Sequence, residues 1–139
     1  MSALLDTSIV VASLDPDEPN HAACDRLVSA GGHKLYVHAF AETFSILTGG
    51  RQGRRLGPAA AARLLDESVL PFVQAVALTG KEVMAALAQC EARGVRGGAV
   101  YDLLHLTAAR KASVDTLITL DVRNFQAFAR TGDPRIVAP

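Results

Sequence analysis

Residues 97–109 have the sequence Gly97-Gly98-Ala99-Val100-Tyr101-Asp102-Leu103-Leu104-His105-Leu106-Thr107-Ala108-Ala109. This stretch predicts a helix that is apolar on nearly every side, which is typical of a helix buried inside a domain. One carboxylate, Asp102, lies one turn from its start and, at about 100° per residue, shares a stripe with Ala99, Leu106 and Ala109. Because neither Lys nor Arg lies one turn away on that stripe, an ionised Asp102 needs a compensating group from elsewhere in the chain.

Short apolar runs alternate with helical patterns along the rest of the chain. Four runs predict buried strands, at residues 3–5, 34–38, 72–76 and 116–120, and Ile136 and Val137 predict an edge strand. Helices are expected between them, over residues 9–14, 20–30, 39–48, 58–68, 79–94 and 97–109, with a short helical turn around Asn124. This alternation favours an α/β fold, a three-layer α/β/α sandwich around a mostly parallel sheet of four to five strands. Residues 1–139 contain no linker, so we expect a single domain.

Composition excludes several classes of protein. Half of the residues are hydrophobic, which excludes a disordered chain, yet no apolar run is long enough to span a membrane. The 14 basic and 14 acidic side chains cancel, which argues against nucleic-acid binding through bulk charge. Cys24 and Cys90 have no metal-ligand spacing, so we expect reduced thiols. These features predict a cytoplasmic protein without a membrane segment.

Four carboxylates from distant segments are predicted to meet at one edge of the sheet. Asp6 directly follows the first strand and Asp121 the fourth, while Glu42 and Asp102 lie in the first turns of helices that begin at the same edge. Three of the four also have an ordinary explanation: an N-cap for Asp6, a solvated position for Glu42 and a turn for Asp121. Asp102 fits such an explanation least, because its helix is predicted to be buried.

Converging carboxylates repel one another, and a divalent cation relieves that repulsion. Mg²⁺ or Mn²⁺ takes oxygen ligands, and two such ions about 4 Å apart can activate a water and stabilise the leaving oxygen of a phosphodiester. Neighbouring polar side chains are candidates for orienting the carboxylates or holding a metal-bound water: Thr7, Ser8, Thr119 and Asn124.

In order and spacing, these motifs resemble the PIN-domain nucleases over essentially the whole chain. The resemblance rests on Asp6-Thr7-Ser8 after a short strand, a helical Glu42, the spacing from Gly98 to Asp102, and Thr119-Leu120-Asp121 before Phe125. Single-domain members of this size are mostly VapC-type toxins of bacterial toxin–antitoxin pairs. The resemblance implies a PIN-like sandwich and a Mg²⁺- or Mn²⁺-dependent endoribonuclease that is often a homodimer and is silenced by a small antitoxin. The family's acidic quartet corresponds to Asp6, Glu42, Asp102 and Asp121.

The resulting hypothesis is endonucleolytic cleavage of RNA by a metal-activated water, leaving a 5′-phosphate and a 3′-hydroxyl. Asp6, Asp102 and Asp121 would ligate metal, and Glu42 would ligate a metal or orient the attacking water. Family members often have a further acid where this chain has Asn124, so the second metal site is in question. The alternative is a non-catalytic PIN-like module that binds RNA or a protein partner.

For three other groups of residues, the sequence is consistent with two possible roles. His105, one turn from Asp102, could share a transition metal with it, but a core or dimer-face position is favoured because hard Mg²⁺ prefers oxygen. Tyr36 and Tyr101 could stack on a base, although packing is favoured. A basic, glycine-punctuated loop either contacts the RNA backbone or is a solvated face, and its arginines are Arg51, Arg54 and Arg55.

Overall fold

The computed structural model describes residues 2–50 and 55–139, and its centre is a parallel sheet of five strands. The strands are β1 (Leu4–Leu5), β2 (His33–Tyr36), β3 (Val73–Val76), β4 (Thr116–Ile118) and β5 (Arg135–Val137). Their order in the sheet is β3-β2-β1-β4-β5, and every neighbouring pair is parallel. The predicted α/β fold is therefore confirmed, with the first strand of the chain in the middle of the sheet.

The helices lie where the sequence predicts them, with small differences at their ends. They are α1 (Thr7–Leu14), α2 (His21–Ser29), α3 (His38–Thr48), α4 (Pro58–Ser68), α5 (Gly80–Ala88), α6 (Cys90–Arg93), α7 (Ala99–Lys111) and α8 (Val122–Gln126). The helix predicted over residues 79–94 is divided at Gln89 into α5 and α6, and α6 ends at Gly94 in the left-handed conformation. Strand β4 ends at Ile118, two residues earlier than predicted, because Thr119 and Leu120 already belong to the loop that leads to α8.

Two apolar clusters cover the two faces of the sheet, as a three-layer sandwich requires. Because successive strand residues point to opposite faces, Leu4 joins one cluster and Leu5 the other. The cluster around Leu4 is formed mainly with α7, and the cluster around Leu5 with α1 and α2. Helix α7 buries six of its thirteen residues, in agreement with its apolar sequence.

The register of the central strands brings three chain segments to the same edge. Leu5 pairs with Leu35 of β2 and with Ile118 of β4, so the carboxyl ends of these strands are level. The Asp6 amide continues the pairing by donating to the Ile118 carbonyl at 3.2 Å. Residues that follow β1, β2 and β4 are therefore neighbours at this edge. Within the described residues, no helix has the length and apolar character needed to cross a membrane.

Candidate active site

Asp6 is buried at the carboxyl end of β1, and both of its carboxylate oxygens accept hydrogen bonds. Oδ1 accepts from the Ser8 hydroxyl at 2.5 Å and from the Ile9 amide at 3.4 Å, and Oδ2 accepts from the Thr119 hydroxyl at 2.8 Å. Burial raises the pKa of Asp6 above its ordinary value, although these bonds and the nearby His105 act in the opposite direction. Asp6 therefore caps α1 and is also held rigidly at the edge of the sheet.

Two hydroxyls join the start of α1 to the loop after β4. The Thr119 hydroxyl donates to Asp6 and accepts from the Asp121 amide at 2.9 Å, and the Ser8 hydroxyl accepts from the Leu120 amide at 3.0 Å. These bonds place the backbone of Asp121 directly beside Asp6. The Asp121 side chain is exposed at the start of α8 and makes no capping hydrogen bond, so its oxygens point to solvent at the site. Asn124 is exposed one turn further along α8.

Glu42 reaches the same edge from α3, and the group that holds it is His105. The distance from His105 Nε2 to Glu42 Oε1 is 2.8 Å, and Thr7 Oγ1 lies 3.3 Å from the same nitrogen. His105 is 1% exposed, and the edge of its ring packs against Tyr36. Its Nδ1 has no hydrogen-bond partner among the described residues. Nε2 carries a proton, which it donates to Glu42.

The contact between His105 and Glu42 is the part of the site that the sequence did not reveal. His105 is buried, as the core interpretation expects, but its ring faces Glu42 rather than forming a metal site with Asp102. The usable signal was that a histidine in a buried helix needs a hydrogen-bond partner. Burial alone would raise the pKa of Glu42, but the hydrogen bond and charge of His105 lower it below its ordinary value. Glu42 is therefore ionised at neutral pH.

Asp102 lies half-buried at the start of α7, where it experiences the other three acids. Its pKa is raised to about 6, first by burial and then by the negative charges of Asp6, Asp121 and Glu42, while His105 opposes the shift. The four carboxylates predicted from distant segments are close enough to influence one another. Their negative charge at this edge exceeds what the neighbouring His105 compensates.

This excess charge is the observation that fits a divalent cation. Among residues 2–50 and 55–139, no three His, Cys, Asp or Glu side chains are placed so that together they could hold a metal ion. Mg²⁺ commonly binds through one or two carboxylates and keeps several waters, so an open arrangement of acids suits it. The oxygen donors of the quartet match Mg²⁺ or Mn²⁺ in hardness, and a bound cation would lower the pKa of Asp102.

The basic loop is described only in part. Arg51 and Arg54 lie outside the described residues, and Arg55 is exposed just before α4. Its role in binding RNA stays a prediction.

Comparison with known proteins gives consistent matches over nearly the whole chain. A family model described as the PIN domain matches residues 3–131. Ribonuclease VapC27 of Mycobacterium tuberculosis (strain ATCC 25618 / H37Rv) is 35% identical over 137 residues, which cover 96% of this chain and 95% of that protein. Ribonuclease VapC40 of Mycobacterium tuberculosis (strain CDC 1551 / Oshkosh) is 34% identical over 127 residues, 90% of each chain.

Solved structures share the fold at lower sequence identity. The crystal structure of Mycobacterium tuberculosis VapC20, described as a Sarcin-Ricin loop cleaving toxin, superposes with a TM-score of 0.69 at 19% identity, covering 96% of this chain and 100% of that one. VapBC2 from Rickettsia felis, bound to a DNA fragment from its promoter, gives a TM-score of 0.64 at 16% identity, covering 99% and 97%.

Proposed function

The chain belongs to the PIN domain family, and from this membership we propose that it is a metal-dependent endoribonuclease and the toxin of a toxin–antitoxin pair. The observation that carries the proposal is the placement of four acids from distant segments at one edge of the sheet, where Asp6 and the Asp121 backbone are joined through Thr119 and Asp102 lies at the start of α7. The ribonuclease names of two relatives that match nearly the full length support the substrate class. A non-catalytic binding module would gain nothing from this concentration of negative charge.

In the proposed mechanism, the chain supplies rigid oxygen ligands and an oriented acceptor. Asp6 is fixed through both oxygens, and Asp102 and Asp121 complete the set that would hold Mg²⁺ or Mn²⁺. When bound, the ion supplies Lewis acidity to the phosphodiester and lowers the pKa of a coordinated water. Glu42, turned by His105, accepts a hydrogen bond from the attacking water and takes its proton. A new bond forms between the water oxygen and phosphorus as the bond to the 3′ oxygen breaks. The 3′ oxygen takes a proton from solvent, which leaves a 5′-phosphate and a 3′-hydroxyl.

Two partners belong to the same proposal. A small antitoxin encoded in a neighbouring reading frame would silence the enzyme, and a cation from it, placed among the acids, would replace the charge of the metal. The active form would be a homodimer. The solved relatives include a VapBC complex and a toxin–antitoxin complex from Klebsiella pneumoniae, which supports the choice of partner class. Co-expression with the neighbouring frame, followed by purification and mass measurement in solution, tests both partners.

The decisive experiment is to incubate the purified chain with total RNA and Mn²⁺ and to sequence the 5′ ends produced. We expect discrete cleavage sites that are lost in EDTA. Asp102→Asn should reduce the cleavage rate by at least about 100-fold, the upper end of what loss of a supporting residue costs a metal site. Asp66→Asn is the matched control, because Asp66 is exposed on α4 away from the acidic edge. Cleavage that is equally fast after Asp102→Asn would refute the mechanism. RNA that is bound but left intact by every variant would favour the binding module.

A further inference from the structure

A cleft of about 360 Å³ opens beside Glu42 on the surface of α3. Its walls are mostly apolar, and it is lined by His38, Ala41, Glu42, Ser45, Ile46 and Tyr101. The α3 residues follow one another at helical spacing and form one wall, and Tyr101 of α7 forms the opposite one. Because Glu42 is shared with the acidic quartet, anything bound in the cleft lies directly against the candidate active site.

The cleft contains a stacked pair of rings. The centroids of His38 and Tyr101 are 5.6 Å apart and their planes differ by 13°, which is an offset stacked arrangement. Tyr101 is nevertheless 49% exposed, so part of its ring faces solvent. Tyr36, the other tyrosine, is buried with its ring against the edge of His105. Packing therefore accounts for Tyr36 but leaves the exposed ring of Tyr101 without an explanation.

We propose that this cleft binds one unpaired base of the RNA, stacked on the Tyr101–His38 pair next to the bond that is cut; the inference rests on the proposed ribonuclease function. Single-stranded RNA is recognised largely by stacking of splayed bases on aromatic side chains. The small side chains Ala41 and Ser45 leave room for a flat ring along α3.

The charge of Glu42 favours the base of a nucleotide over its phosphate inside the cleft. The Glu42 carboxyl forms part of the wall, so the cleft suits a neutral base better than a phosphate. The phosphate of a bound base would lie outside the cleft at the acidic edge, where a divalent cation would offset the charge of Asp102, the residue after Tyr101 in α7. Tyr101, which would hold the base, and Asp102, an acid of the quartet, are thus consecutive residues of α7.

Kinetics on the RNA mapped by 5′-end sequencing tests the base site. The probes are a short oligonucleotide centred on one mapped cut and a set of versions in which a single position near the cut is abasic. Tyr101→Leu keeps a comparable apolar volume but removes the aromatic face, and we expect it to raise KM about 5- to 150-fold, the range for one stacked base. The effect should fall on KM more than on kcat, since the stacked base is bound alike before and during reaction.

The abasic series makes the assignment specific. At one position, loss of the base should raise the KM of the wild type by about the same factor as Tyr101→Leu does. The two changes together should raise KM little more than either change alone. Tyr101→Phe, which restores an aromatic face, should recover most of the lost affinity. Met84→Leu on α5, at a side chain that is 63% exposed, should leave KM unchanged. Thermal unfolding of each variant checks that the fold is retained.

Three outcomes separate this inference from the proposed function. If the wild type cleaves RNA but Tyr101→Leu has an unchanged KM, or every abasic effect is additive with it, the base site is refuted and the ribonuclease stands. If Tyr101→Leu instead weakens binding of the co-expressed antitoxin without changing RNA kinetics, the cleft belongs to the protein partner and the proposal is overturned. If no RNA is cleaved by the wild type, both fall together.

Discussion

Asp102→Asn should stabilise the folded chain at neutral pH, although it removes a residue that we place in the active site. The pKa of Asp102 is about 6 in the folded chain against an ordinary value of 3.8. A raised pKa means that the folded state binds the proton more tightly than the unfolded state does, so ionisation of Asp102 opposes folding. The difference sets an upper limit of about 3 kcal/mol once the pH is above both values, and solvent screening at this half-buried carboxyl reduces it. Asn has nearly the shape of the neutral acid and does not carry this cost.

Because the pKa of Asp102 is raised by folding, the stability difference between the wild type and Asp102→Asn depends on pH. Between about pH 6 and pH 4 the wild type gains stability from this group as Asp102 takes up its proton, while the Asn variant does not. The variant should therefore be more stable by up to about 3 kcal/mol at pH 8, and the difference should shrink towards zero near pH 4. Urea unfolding at a series of pH values in EDTA measures it. Asp66→Asn on the exposed surface of α4 is the control and should leave the free energy of unfolding nearly unchanged.

A divalent cation should remove most of this difference in stability. Mn²⁺ at about 100 times its dissociation constant should stabilise the wild type by about 2.7 kcal/mol, because it binds only the folded chain, and should stabilise Asp102→Asn much less. If Asp102→Asn is less stable than the wild type at pH 8, or if the difference does not narrow in acid, Asp102 is not under repulsion. The electrostatic argument for a cation would then fail.

Two further predictions concern Asp133 and His105. Asp133, whose side chain is 3% exposed, accepts from Arg93 at 2.8 Å, so Asp133→Ala should lower the free energy of unfolding by about 3 kcal/mol in urea titrations. Burial would raise the pKa of Asp133, but hydrogen bonds from Arg93 and the Arg130 amide lower it, so this stabilisation is present at neutral pH and is lost as the pH falls through the lowered pKa. His105→Gln, which keeps a donor for Glu42, should retain at least about tenfold more cleavage activity than His105→Phe.

Each of these has a matched control. Arg110 also contacts Asp133, at 3.2 Å, but its side chain is 51% exposed, so Arg110→Ala should cost far less than Asp133→Ala; equal losses would contradict the buried character of the pair. For His105, both variants should unfold at similar urea concentrations. If they cleave RNA equally slowly while both remain folded, orientation of Glu42 is not what His105 contributes.

The sequence predicts the fold and the position of the acids because both depend on local patterns. Asp6 directly follows the two-residue strand β1, and Asp121 lies in the loop after β4, so strand-end geometry brings them to one edge. Partners of buried polar groups depend on long-range packing. Glu42 is 63 residues from His105, and nothing in the sequence around either residue indicates the pair. Whether the acids bind metal stays a prediction, which the experiments above test.

The distinction between local sequence patterns and long-range packing also applies to the protein surface. Tyr101 lies in an apolar stretch that predicts burial, yet it is exposed because α3 approaches α7 at His38 and leaves a cleft beyond it. The division of the helix at Gln89 likewise has no strong breaker in the sequence. The helix that follows the division, α6, carries Arg93, which donates to Asp133, 40 residues away.

The hydrogen bond between Asp6 and Thr119 can form only after most of the chain has been synthesised. It joins residues 113 positions apart, and β1, made first, lies between β2 and β4 in the sheet. A ribosome adding 5–20 residues per second needs roughly 6 to 23 seconds to make that span. During this interval the first acid exists without the loop that fixes it, so a nascent or prematurely terminated chain cannot assemble the quartet. A chain that stops before residue 119 therefore lacks both the Thr119 hydroxyl that holds Asp6 and the fourth acid, Asp121.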